Sequence, residues 1–178
     1  MKQIFSAFLF LTVALSATQC SGQATEDKSK RPSPPATFTS TSNDPKITIN
    51  YSQPAVKGRT IGKDIAPYGQ VWRTGANEAT TFEVNRDVKV EGQPLKAGKY
   101  SLFTIPGENE WKIIFNSVIP SWGIKQGGEA NREAANDALT VSVKPTKAPQ
   151  FTERMTFAQK GDKIALMWGD TEVAFTVK

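Results

Sequence analysis

Residues Lys99 to Phe115 read KYSLFTIPGENEWKIIF. Two runs rich in aromatic and β-branched residues, KYSLFTI and WKIIF, flank PGENE, a string of turn formers. That is the signature of two neighbouring strands, and the same period of two extends in both directions from it. Upstream, KITINY (Lys46 to Tyr51) sets Ile47, Ile49 and Tyr51 on one face and Lys46, Thr48 and Asn50 on the other. TTFEVN (Thr80 to Asn85) and VKV (Val88 to Val90) flank Asn85-Arg86-Asp87, a predicted turn, and VEGQPLKAGKYSLF reads as two strands joined by a Pro/Gly turn. Downstream, LTVSV (Leu139 to Val143) alternates cleanly, and TERMTF, KIALMW and EVAFTV close the chain. Gly161-Asp162 and Gly169-Asp170 are predicted as two-residue hairpin turns between these last runs. Pro54, Pro67, Pro94, Pro106, Pro120, Pro145 and Pro149 are expected at strand ends or between strands, since proline donates no ladder hydrogen bond.

One window, Gly128 to Ala138, has helical composition but little apolar face, and reads as a short exposed helix or a loop. No strands alternate with long helices, which argues against a parallel α/β sheet. The reading is all-β: an antiparallel β-sandwich or barrel of roughly nine or ten strands with at most one short helix.

The 178-residue chain suits one domain. Met1-Lys2-Gln3 followed by the apolar run Ile4 to Ala17 is shorter than the ~20 residues that cross a bilayer, and reads as an export signal over residues 1–24. Gly22 and Ala24 offer the small residues an ordinary signal peptidase needs. Cys20 sits where a lipoprotein cysteine would sit, although Gln19 stands before it where a small residue is favoured. Both cuts place the protein outside the cytoplasm: in the periplasm, at the outer membrane or secreted, with membrane contact only through a lipid on Cys20. Residues 25–36 are charged and Ser/Pro-rich, an extended linker or arm. Residues 37–178 form the single β-domain, stabilised by its core because one cysteine makes no internal disulfide.

The absence of histidine removes Ser-His-Asp and Cys-His catalysis, imidazole proton shuttles and histidine zinc motifs. With Cys20 cleaved off or lipidated, no soft-metal site is expected, and the acidic strings GENE and NRD lack the spacing of a calcium loop. No cofactor is implied. The net charge of +5 comes from scattered residues of both signs, so no nucleic-acid stripe is expected.

KSKRPSPPA, INYSQPAVKGRTIG, VWRTGANEATTFEV, LKAGKYSLFTIP, EWKIIFN and WGDTEVAFTVK together resemble domain-of-unknown-function family 2911. The resemblance covers nearly all of the chain after the signal. It implies one extracytoplasmic domain of a bacterial protein, of a kind found mainly in Bacteroidetes, and it implies no activity. Members often follow a Trp-Gly pair with aromatic residues in the loop after the IIFN strand. Here Trp122-Gly123 is kept and the aromatics are replaced by Gly, Ala and charge.

The candidate site is WRTGANEATT, Trp72 to Thr81. Trp72 offers a flat face and Arg73 a planar fork of donors, suited to a carboxylate, phosphate or sugar. Gly75 permits a tight turn, Asn77 can bond its own backbone or a ligand, and Glu78 could accept a sugar hydroxyl or act as a base. The bland alternative pairs Arg73 with Glu78 or another acid, uses Asn77 to hold the turn and buries Trp72. QPAVKGRTIGKD adds Lys57, Arg59 and Lys63; if it lies beside Arg73, the two segments form a basic pocket for an anion. Trp111 and Trp168 are expected in the core, whereas Trp72 and Trp122 lie near loops.

Two functions fit these residues. The first is a non-enzymatic binding or structural module of the bacterial envelope whose partner is a small molecule, glycan or envelope protein. The second is a His-free hydrolase of envelope glycans using Glu78 with Glu83, Asp64 or Asp170.

Overall fold

A computed structural model describes residues 26–178; the segment expected to be an export signal, with Cys20, and Thr25 lie outside the described residues. Ten strands follow in order: β1 (Pro35–Thr39), β2 (Ile47–Ser52), β3 (Thr81–Val84), β4 (Val88–Val90), β5 (Gln93–Leu95), β6 (Gly98–Ile105), β7 (Trp111–Asn116), β8 (Asp137–Val143), β9 (Thr146–Lys160) and β10 (Lys163–Thr176). Six of them form one antiparallel sheet in the order β1-β2-β3-β6-β7-β8, and the hairpins β9-β10 and β4-β5 supply the rest. The arrangement is sandwich-like and does not close into a barrel. The described residues contain no α-helix. The window Gly128 to Ala138 yields only the 3-10 turn Ala134–Asn136, and a second such turn lies at Lys28–Lys30.

Alternation decides the core. Ile47, Ile49 and Tyr51 of β2, Phe82 and Val84 of β3, Tyr100 and Leu102 of β6, and Ile113 and Phe115 of β7 all face the β9-β10 hairpin and are buried. Aromatic contacts close the gap between the layers. Tyr51 meets Phe157 edge-on at 4.9 Å, and Phe175 stands against both Phe82 and Phe115. A side chain in such a site contributes about 1.5–3 kcal/mol through apolar burial.

The other face of the large sheet carries a polar row. Register places Thr37, Asn50, Thr81, Ser101 and Asn116 side by side across five adjacent strands. Thr81, Ser101 and Asn116 are buried, and the chain after β7 folds back over the last two. Ser101 Oγ donates to the Val118 carbonyl at 2.7 Å, and the Asn116 amide donates to the Glu133 carbonyl at 2.9 Å. This row seats the loop between β7 and β8, which in turn reaches the candidate site.

Three expectations need correction. Gly169-Asp170 makes no hairpin turn: it lies inside β10, where the ladder to β9 slips register on either side of Gly169. Gly161-Asp162 is the turn, with Gly161 at φ 64°. Pro149 and Pro94 lie within strands, not at their ends. Pro149 falls between the pairs Thr152–Gly169 and Lys147–Thr171, where the slipped ladder tolerates a missing N–H, and Pro94 sits in a three-residue strand that pairs only with β4. Finally, β1 begins at Pro35, so the last residues of the arm pair with Tyr51 and Ser52 of β2.

Candidate functional site

The loop from Arg73 to Ala79 is an excursion from a strand lying along β6. Trp72 and Thr104 exchange both backbone hydrogen bonds, at 2.7 and 2.9 Å, and the Thr80 carbonyl accepts from Leu102 N–H at 2.8 Å. Between these anchors the chain bulges inward, and Thr74, Gly75 and Ala76 are buried. Thr74 takes φ 53°, an uncommon conformation for a β-branched residue. It is held by hydrogen bonds from its hydroxyl to Thr104 Oγ1 at 3.2 Å and from Thr80 Oγ1 to its carbonyl at 2.8 Å. Gly75 is required by space, since a Cβ there would stand 2.7 Å from Thr80 Oγ1.

Trp72 belongs mainly to the core. Its ring stacks on Trp168 at 5.1 Å and 8°, and meets Trp111 edge-on at 6.3 Å. Trp111 and Trp168 are buried, whereas Trp122 is 41% exposed. Asn77 takes φ 59° and turns the loop. Its amide donates to the Ser33 carbonyl at 2.9 Å, and its own carbonyl accepts from Gly123 N–H. Asn77 is thus used inside the protein.

Glu78 is occupied as well. Lys28 Nζ reaches it at 2.7 Å, and Arg31 donates to both carboxylate oxygens at 3.0 Å. These contacts, the Lys28 hydrogen bond foremost, hold its carboxyl down at about 2. A carboxylate so held is ionised at neutral pH and has both oxygens engaged, so it offers neither a proton nor a free base. Asp64, a suggested partner, accepts from Thr60 N–H in its own loop.

Arg73 differs from its neighbours. It is half-buried, yet it has neither a hydrogen bond nor an ion pair among the described residues, and burial alone pulls its pKa downward. Gly123 lies against its stem, where a Cβ would stand 2.6 Å from Arg73 Cδ. Arg59 comes to the same place from the other segment. Its guanidinium donates to the Val56 and Ala55 carbonyls at 3.1 and 2.8 Å, and no carboxylate engages it among the described residues. Arg59, Arg73, Trp72 and Trp168 all line one cavity of about 210 Å³. Lys57 does not join them: it is exposed outside this cavity, with its backbone N–H bound to Glu153. A larger open hollow of about 570 Å³ lies between Gln70 and the Gly127–Arg132 loop, but its cation, Arg132, is paired with Asp137.

The sequence singles out Arg73 and Arg59 as site residues but gives Gly123, Trp168, Lys28 and Arg31 no place in the site. Lys28 lies 50 residues from Glu78 and Arg31 lies 47, with no local pattern joining them. Trp168 Nε1 is buried without a hydrogen-bond partner among the described residues, a property that exists only once the core has formed.

The family model described as "Protein of unknown function (DUF2911)" matches residues 33–177. The chain belongs to the DUF2911 family. The DUF2911 match includes Ser33, Arg59, Arg73, Asn77, Gly123 and Trp168, and leaves out Lys28 and Arg31, which clasp Glu78. The description assigns no activity. No curated protein and no solved structure matches the chain.

Proposed function

We propose that this protein is an exported, non-enzymatic binding module of the bacterial envelope that takes a small ligand at the cavity between Arg59 and Arg73. The observation that carries this reading is Arg73 itself, a half-buried guanidinium with no acid partner among the described residues. Taking a charge out of water without pairing it is unfavourable, and such a group is retained where another molecule supplies the partner. Asn77 and Glu78 have internal partners, which leaves Arg73 as the group turned to an outside contact. Export rests on the leader Met1 to Ala24, and the absence of histidine together with the clasped Glu78 speaks against hydrolysis.

A thermal-shift screen of sugars, sugar acids, amino acids and short peptides tests the binding reading. A ligand at a hundredfold its dissociation constant stabilises by about 2.7 kcal/mol, which raises the melting temperature of a domain this size by roughly 5–10 °C. The compound should stabilise the native protein and not Arg73→Gln. A screen without a stabiliser overturns the reading. Fractionation of the producing cell, with the mass of the mature chain, tests export; a full-length cytoplasmic protein overturns it.

A further inference from the structure

One cation in the cavity lacks an acceptor and a second keeps a donor free. Arg73 makes no hydrogen bond among the described residues and lines the cavity. Arg59 at the rim has Nε and Nη2 on backbone carbonyls and, among the described residues, no bond on Nη1. The lining includes no Asp or Glu. Pro54 and Ile65 give the same cavity apolar wall. What such a place lacks is a group that only accepts, carries negative charge and has an apolar body behind it.

We infer that the cavity binds the carboxylate of a small organic acid, held between Arg73 and Arg59 against the ring of Trp72. This rests on the reading of the corner as a binding site and names the ligand class for it. A planar carboxylate matches the planar fork of a guanidinium, two parallel N–H groups to two oxygens. Phosphate sites more often use a nest of backbone N–H groups at a glycine-rich turn or helix N-terminus, and the donors here are side chains. At about 210 Å³ the cavity is smaller than the ~300–1,000 Å³ that hold drug-sized ligands, so it suits a small acid or the acidic end of a larger molecule. Ser33, whose carbonyl receives the Asn77 amide, also lines the cavity.

The test is a titration of the exported domain, followed at its tryptophan side-chain N–H resonances, with sodium propionate, its neutral isostere propionamide, and sodium phosphate. Propionate should shift the side-chain N–H resonances of the cavity's tryptophans, Trp72 and Trp168, saturably, with a dissociation constant on the order of millimolar for so small a fragment. Arg73→Gln should weaken binding at least about tenfold, the loss expected for one charge-assisted contact, while Lys57→Gln should leave it unchanged. Arg59→Gln, at an exposed position, carries the same comparison if Arg73→Gln loses the native spectrum. Preference for phosphate over propionate overturns the carboxylate assignment in favour of an inorganic oxyanion. Propionamide acting as well as propionate overturns the assignment of charge and leaves the corner a binding site. Silence of all three on a native spectrum overturns both the ligand class and the binding reading.

Discussion

Gly123 packs on the stem of Arg73 so closely that an added Cβ would stand 2.6 Å from Arg73 Cδ and 3.0 Å from Arg73 Cβ. The two residues belong to different loops. They are brought together by the Gly123 N–H bond to the Asn77 carbonyl at 2.9 Å and by the polar row that seats the loop after β7. Gly123→Ala therefore has to move the Arg73 stem or lift the loop. The expected result is a loss of about 1–3 kcal/mol in denaturant unfolding, the range for overpacking a tight site, with any binding that depends on Arg73 weakened as well. Unchanged stability would show that the loop yields freely.

Arg73→Met should move stability the other way. It removes a desolvated charge with no partner and keeps an apolar stem of similar reach. An increase of about 1 kcal/mol is expected, as is common when a functional residue under strain is replaced, together with loss of ligand binding. A decrease of similar size would show that Arg73 is structural.

Glu78→Gln removes the carboxylate that Lys28 and Arg31 share. The pairs are partly exposed, with Glu78 at 35% and Lys28 at 54%, so screening limits their value to less than about 1 kcal/mol each. Global unfolding should shift little. The local effect is sharper: the segment Glu26 to Ser33 should detach, and trypsin should cleave after Lys28 and Lys30 faster than in the native chain. Equal cleavage rates would mean that the Asn77–Ser33 and Arg154–Pro32 hydrogen bonds are enough to hold the arm.

The same clasp sets a pH dependence. The carboxyl of Glu78 is depressed from 4.5 to about 2, so its contribution to docking is complete above about pH 4.5 and is lost as the pH falls through about 2. Amide relaxation of residues 26–34 should show them ordered at pH 7 and mobile near pH 2, with Glu78→Gln mobile at both. An arm equally ordered at both values would contradict the ion-pair account.

Trp72→Ala removes the ring stacked on Trp168 and edged by Trp111. Because Trp72 is only half-buried, the expected loss is about 3 kcal/mol, the low end for a large aromatic. Trp72→Phe should recover most of it. Chemical denaturation measures both, and a loss under about 1 kcal/mol would place the ring outside the core.

Alternation made most strands legible, because a strand half in water records its two faces in its own residues. Ile47, Ile49 and Tyr51 announce their burial without reference to any other part of the chain. The strand Pro35–Thr39 escaped notice because it is an edge strand with an exposed alternate face. Gly169-Asp170 misled because a bulge and a turn use the same residues, and only the pairing of β9 with β10 distinguishes them.

The sequence by itself determined an all-β chain, the strand faces, the exclusion of histidine chemistry and the presence of Arg59 and Arg73 as unexplained cations. Tertiary structure alone decided a sandwich over a barrel, gave Glu78 to Lys28 and Arg31, and set Arg59, Arg73 and Trp168 around one cavity. The physical reason is range. Burial is written locally at every second residue, whereas the partner of a charge is whichever group the fold brings within about 4 Å, and spacing along the chain does not encode it.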